Sequence, residues 1–335
     1  MTMAQSTDRK RAMLRTAMGP MIAEALGDPL VTEVMVNPDG VLRLDRLGEG
    51  RIDTGARLEP AEVERIVRLV ASHSRTEVHD LAPIVSAELP AHGCGLSGER
   101  FEGVLPPVST GPCFSIRKPA SKIYTLTDYV ADGVMDAGTA RILSLAVVER
   151  RNILVAGGTS SGKTTLANAL LSELAARDER VILIEDTREL QCSAPDCVAL
   201  RTRPGVAAMA DLVRSTLRLR PDRIIVGEVR GGEALDMLKA WNTGHPGGIA
   251  TVHANGAMAA LYRLEQLVQE TVTAIPKRLV ADAIDLVVFL EGRGSARRVG
   301  ELLAVHGLDP SGHYSAAPVE AGLSNHSTKE TILCA

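Results

Sequence analysis

The sequence predicts an α/β protein of two domains, and three observations carry that expectation. In the second half, apolar runs of strand length alternate with helical stretches of ten or more residues, which signals a mainly parallel sheet with helices on both faces. Between one such strand and its helix lies a glycine-rich segment, GGTSSGKT at 157–164, a full match to GxxxxGK[ST]. The first half reads differently, as short strands punctuated by Pro and Gly with two helical stretches, an α+β pattern.

The elements follow in order. Met13, Leu14, Ala17, Met21, Ile22 and Ala25 recur at helical spacing, so a single opening helix is expected over about residues 9–26. Residues 32–36, 37–40 and 41–47 read as strand, turn and strand, because Pro38 presets the turn and Gly40 accepts positive φ. A second helix is expected over 60–74, with Val63, Ile66, Val67 and Val70 on one face, followed by strands at 101–104 and 114–117. This smaller domain is expected at 1–121, a linker at 122–135, and the larger domain at 136–335. The larger domain's strands are expected at 152–156, 180–184, 223–226, 248–252 and 286–290, with a helix over 164–176. The segment after about residue 318 is polar and expected to be loosely ordered.

Composition narrows the function. Of 335 residues 45% are hydrophobic but only 2% aromatic, so the cores must be aliphatic and stacking platforms for nucleic acid are scarce. The net charge of -4 argues against a large DNA footprint, since counterion release by a basic surface drives such binding. Arg201, Arg203, Arg214, Arg218 and Arg220 form the best basic cluster available. Five cysteines (Cys94, Cys113, Cys192, Cys197 and Cys334) make no CxxC pair and suit packing thiols of a cytosolic protein. The N-terminal segment has no continuous apolar stretch, and no run approaches the ~20 residues needed to span a bilayer. A cytoplasmic protein is therefore expected, with any membrane association peripheral or through a partner.

The residues that carry chemistry lie at strand ends. Gly157, Gly158, Thr159, Ser160, Ser161 and Gly162 form a loop whose backbone N–H groups can wrap phosphates, helped by the helix N-terminus that follows. Lys163 would reach the β- and γ-phosphates of ATP, and Thr164 would place its hydroxyl on Mg²⁺, with Thr165 in the same nucleotide-binding set. The strand 223–226 leads to Glu228, a carboxylate able to hold the metal or orient the attacking water. Glu185 and Asp186 close another strand and could polarise that water or complete the metal shell. Within the Gly-rich run 244–255, His253 falls at the C-terminal end of a strand, where a neutral imidazole could sense the γ-phosphate.

The runs 215–231 (STLRLRPDRIIVGEVRG), 239–255 (KAWNTGHPGGIATVHAN) and 32–47 (TEVMVNPDGVLRLDRL) resemble the secretion ATPase superfamily of type II and type IV systems, and within it the TrbB-type conjugal transfer ATPases. The resemblance runs from about residue 13 to about 308. It implies a homohexameric ring, with a PAS-like N-terminal domain before a RecA-like P-loop domain and ATP bound between the two. It places an Asp box on Glu185, Asp186 and Glu189, a Walker B glutamate at Glu228, and a His box on His245 and His253. It also implies N-terminal arginines directed at the phosphates, and Arg100 and Arg117 match those positions. The implied partners are other components of the conjugation or type IV secretion machine, with peripheral association at the inner membrane. The tetracysteine zinc motif of many type II members is absent, which favours the conjugation branch. Two alternatives share the same site: a RecA-like nucleic-acid translocase, and a nucleotide-gated assembly factor.

Overall fold

The computed structural model describes residues 3–90, 98–119, 123–203 and 205–319, without the side chains of residues 3–8, 10 and 295. Cys94, Cys334 and the polar segment after residue 319 lie outside the described residues. The chain divides into two compact units, Met1–Ser121 and Lys122–Ala335.

The first unit opens with α1 (Met3–Met18) and α2 (Pro20–Gly27). One continuous helix was expected here, but the chain breaks at Gly19, whose φ of 92° lies outside helical space, and Pro20 starts the second helix. Next come β1 (Val31–Val36), β2 (Val41–Arg46), β3 (Gly50–Arg57), α3 (Pro60–Ser74), β4 (Ile84–Glu88), β5 (Arg100–Val104) and β6 (Cys113–Arg117). The strands form an antiparallel sheet in the order β3-β2-β1-β6-β5-β4. Helix α3 starts where the Glu59 N–H donates to Glu62 Oε2 at 3.2 Å, with Pro60 pre-set for the first turn. Its buried stripe of Val63, Ile66, Val67 and Val70 joins Val34, Phe101 and Ile116 of the sheet in one core.

The second unit contains α4 (Leu126–Ala131), α5 (Ala137–Val148), β7 (Ile153–Gly157), α6 (Lys163–Ser172), β8 (Arg180–Glu185), β9 (Asp196–Arg201), α7 (Met209–Thr216), β10 (Arg223–Val229), α8 (Glu233–Asn242), β11 (Ile249–His253), α9 (Ala257–Gln269), α10 (Lys277–Ala283), β12 (Leu286–Glu291), β13 (Arg298–Leu308) and β14 (Tyr314–Pro318). The sheet order is β14-β13-β12-β7-β11-β10-β8-β9. From β12 to β9 every pairing is parallel, and β13 and β14 add antiparallel strands at one edge. Both sheet faces are covered. Leu154, Ile182 and Ile224 pack against α8 and α9, while their neighbours Ile153, Val181 and Ile225 pack against α5 and α6. The 122–135 segment, expected as a linker, holds α4, whose start is capped by Thr125 and Asp128. Leu126, Tyr129 and Met135 are buried in the second of these cores. Among the described residues no helix is long and apolar enough to cross a membrane.

The N-terminal ends of three neighbouring strands are tied by one side chain. Arg223, at the start of β10, has no solvent exposure. Its Nε donates to Glu179 Oε2 just before β8, its Nη2 to Val147 O at 2.8 Å, and its Nη1 to Gly247 O at 3.3 Å. A Cβ on Gly247 would lie 2.5 Å from Arg223 Nη1, and one on Gly248 would lie 2.0 Å from the Trp241 ring. The paired glycines of the HPGG run are therefore demanded by packing. Burial works against the Glu179 carboxylate, but Arg223 and Arg150 outweigh it and hold its pKa below the ordinary range. Glu179→Gln is expected to lower stability by about 3–5 kcal/mol, because it leaves a buried guanidinium without its counter-charge. Urea unfolding checks this, and a Glu179→Leu/Arg223→Met double variant should recover most of the loss.

Candidate active site

In a parallel sheet all C-terminal strand ends share one edge, so β7, β8, β10 and β11 deliver Gly157, Glu185, Glu228 and His253 to the same side of the sheet. The register places His253 directly beside Gly157 on the neighbouring strand. Between β10 and β11 the register slips from Val226 to Val229, so Gly227 and Glu228 sit in an irregular step, the kind of feature that re-aims a side chain.

The loop after β7 ends at Gly162, whose φ of 92° requires glycine, and α6 begins at once with Lys163. Thr159 and Ser160 are exposed, Ser161 is buried with its hydroxyl donating to Gly158 O at 3.0 Å, and Thr164 and Thr165 are half-buried in the first helical turn. The Lys163 ammonium donates to Gly157 O at 3.2 Å and Gly158 O at 3.0 Å. It also lies 3.2 Å from His253 Nδ1. With Lys163 donating to Nδ1, the ring proton belongs on Nε2, which lies 2.7 Å from Glu228 Oε1. Burial and the Lys163 charge lower the His253 pKa against the pull of Glu228, which favours the neutral ring.

Glu228 is the hinge of the cluster. Its Oε2 accepts from Arg230, which also donates to Asp186 Oδ2 at 2.6 Å. Its Oε1 is buried, and its contact with His253 lacks the alignment of a hydrogen bond, so that oxygen has no hydrogen-bond partner. A buried carboxylate oxygen in this state is costly, and a divalent cation or a bound water would satisfy it. The arrangement therefore fits Mg²⁺ beside a phosphate group, with Lys163 ready to exchange backbone carbonyls for phosphate oxygens. Alongside the loop, a cleft of about 280 Å³ opens between Gly158, Thr159 and Ser161 on one side and Phe289, Glu291 and Arg293 on the other.

The remaining expected residues divide. Glu185 is turned into the protein: its Oε1 accepts the N–H groups of Glu189 at 2.8 Å and Leu190 at 2.7 Å, which closes the loop carrying Glu189. His245 is not brought to the site. It lies before the N-terminal end of β11 with Nδ1 3.3 Å from Ala240 O, and the strand between it and His253 spans roughly 16 Å at ~3.3 Å per residue. Arg100 and Arg117 belong to the first unit, where they face each other as register partners on β5 and β6.

Two residues of the cluster were not anticipated. Arg230 follows Glu228 at the two-residue spacing that puts side chains on one face of an extended chain, and that spacing was a usable signal. Asn168 on α6 donates to Glu189 O at 3.0 Å and accepts from the Gln191 N–H at 2.9 Å, stitching the acidic loop to the phosphate-loop helix. A lone Asn in an apolar helix gave no sign of it. On the same side, the thiols of Cys192 and Cys197 hydrogen-bond to one another, an interaction that lowers the Cys192 pKa to about 7.

A strand–loop–helix of this kind, with carboxylates at adjoining strand ends, defines the class of a nucleoside triphosphatase. The chain belongs to the Type II/IV secretion system protein family, whose model matches residues 51–290. The conjugal transfer protein TrbB of Rhizobium radiobacter is 47% identical over 309 residues, 92% of this chain and 94% of that protein. The type IV secretion system protein PtlH of Bordetella pertussis is 36% identical over 317 residues, 83% of this chain and 91% of its own length. The solved structure of the pilus retraction motor PilT with bound ADP shares the fold, with a TM-score of 0.58 at 18% identity across 89% of this chain and 80% of that one.

Burial pushes the Glu185 carboxyl up to about 7 from an ordinary value of 4.5, against the two N–H groups that favour its charged form. The folded state therefore keeps a proton that the unfolded chain releases. The stabilisation this gives is complete below about 4.5 and is lost as pH rises through about 7. Glu185→Gln keeps an acceptor for both N–H groups and is expected to flatten the fall of melting temperature across that window. A slope identical to the wild type would assign it to other groups.

Proposed function

We propose that this chain is an ATPase that energises conjugal transfer or type IV secretion, with a RecA-like P-loop domain behind a PAS-like N-terminal domain, assembled as a homohexameric ring. The observation that carries the reading is the continuous Lys163–His253–Glu228 contact chain at the phosphate loop, ending in a buried carboxylate oxygen that receives no aligned hydrogen bond. The backbone of 157–165 would bind the ATP phosphates, with Lys163 on the β- and γ-phosphates. Thr164 and Glu228 would hold Mg²⁺, which supplies charge neutralisation for the phosphates. Glu228 orients the attacking water, His253 reads the γ-phosphate as a neutral donor, and Arg230 keeps Glu228 and Asp186 in place. Arg100 and Arg117, side by side on β5 and β6, are suited to bind phosphate together.

The partners on this reading are components of the secretion machine, met at the cytoplasmic face of the inner membrane. Direct DNA translocation is disfavoured: the chain is net acidic, and Arg214 of the basic cluster is paired with Asp211 at 2.9 Å and Asp236 at 3.7 Å.

The test is ATP hydrolysis per subunit over a range of protein concentrations. Lys163→Ala is expected to lose at least ~100-fold in rate, and Glu228→Gln to lose a similar factor while still binding ATP. A specific rate that climbs with concentration supports a ring that completes the site. A flat rate from a sedimenting monomer removes the ring.

A further inference from the structure

The connection between β12 and β13 embraces the phosphate loop at two points. Near its start Arg293 lines the cleft with Gly158, Thr159 and Ser161. At its end Arg297 lies against Gly162. A Cβ on that glycine would stand 2.7 Å from Arg297 Cζ and Nε and 2.8 Å from Nη1. Gly162 opens α6, where backbone N–H groups converge on a bound phosphate, so a permanently charged guanidinium rests against the wall of the phosphate cradle.

That guanidinium is poorly satisfied. Its Nε and the nearby hydroxyl of Tyr129 are both buried without an aligned hydrogen bond, and each has the other as its near polar partner. The two groups interact electrostatically: burial raises the Tyr129 pKa and the Arg297 charge partly opposes the rise. The adjacent Arg298 pairs with Glu291 at 2.6 Å, whereas Arg297 pairs with no carboxylate among the described residues. A half-buried cation without a counter-charge is costly, and an anion arriving in the adjoining loop offsets that cost. The match to the family model ends at residue 290, before this connection.

We propose that Arg297 is a phosphate-binding residue of the nucleotide site, adding from the β12–β13 connection a further fixed positive charge for the di- or triphosphate held by Lys163, with Tyr129 as its positioning partner. This rests on the nucleotide-binding reading of the loop. The charge acts on the phosphates, so it favours ADP and ATP over adenosine, and its effect is screened by salt.

The experiment is calorimetric titration of the full chain with ADP at low and high salt. Arg297→Gln is expected to weaken ADP about tenfold at low salt and to flatten the salt dependence, while Arg297→Lys, which keeps the charge, loses no more than about threefold. Tyr129→Phe should cost about two- to threefold. Arg297→Gln binding ADP within twofold of wild type overturns the proposal. So does Arg297→Lys failing as badly as Arg297→Gln, which marks a packing role. If Arg297→Gln does not fold, Arg297→Lys decides alone, a loss beyond tenfold overturning the proposal. Wild type that binds no ADP sinks the nucleotide reading itself. Wild type that binds, with Lys163→Ala blank and Arg297→Gln normal, sinks only the role of Arg297.

Discussion

Arg223 sets the frame in which everything else is positioned. It sits at the beginning of β10, donates to Glu179 ahead of β8, and reaches Gly247 ahead of β11 and Val147 at the end of α5. Because side chains alternate along a strand, slipping any of these pairings by one residue would send every side chain to the opposite face. Fixing the three strands at their N-terminal ends therefore fixes which residues emerge at the other. Replacing such a pair by apolar residues is often neutral in stability, so its value here is register, and register is what the site needs. Gly247 and Gly248 belong to this frame: they make room for Arg223 and Trp241.

At the far edge the same strands present a chain of alternating partners: Lys163, His253, Glu228, Arg230 and Asp186. The His253–Glu228 and Arg230–Asp186 links cross from one strand end to the next, so a change of charge at the phosphate loop has a direct route to the acidic loop after β8. That loop is not free to drift. Asn168 holds it to α6, and the Glu185 carboxyl holds it to the end of its own strand. A phosphate drawing Lys163 off the Gly157 and Gly158 carbonyls would change the field on His253, whose Nδ1 lies 3.2 Å from the Lys163 ammonium.

The framework was legible where burial leaves a pattern. The central strands are apolar throughout, and β7, β8, β10, β11 and β12 fall within a few residues of their expected positions. The strands that left no pattern are at or near the edges. β3 is mostly exposed and polar, and β9 alternates weakly, so neither offers the periodicity that a buried strand does. The phosphate loop was legible because its chemistry is local in sequence. Arg230, Asn168 and Arg297 act through contacts that only the fold creates, across 44, 21 and 135 positions of chain. His245 differs: resemblance to a family box groups it with His253, although the expected strand 248–252 already lies between them and carries them to opposite ends.

Hydrogen-bond satisfaction also separates the three acids whose expected roles overlap. Glu185 already receives two backbone N–H groups and is buried deeply enough to favour its proton, so it is poorly suited to gather charge at neutral pH. Asp186 is committed to the N–H of Thr187 through one oxygen and to Arg230 through the other. Glu228 alone of the three has one oxygen fixed by Arg230 and the other buried beside His253 without an aligned hydrogen bond. A group that must hold its orientation and accept a new partner needs this combination. Arg230 anchors one oxygen, and the other is left to receive the water or metal. The proposal that Glu228 orients the attacking water thus follows from what its neighbours leave undone.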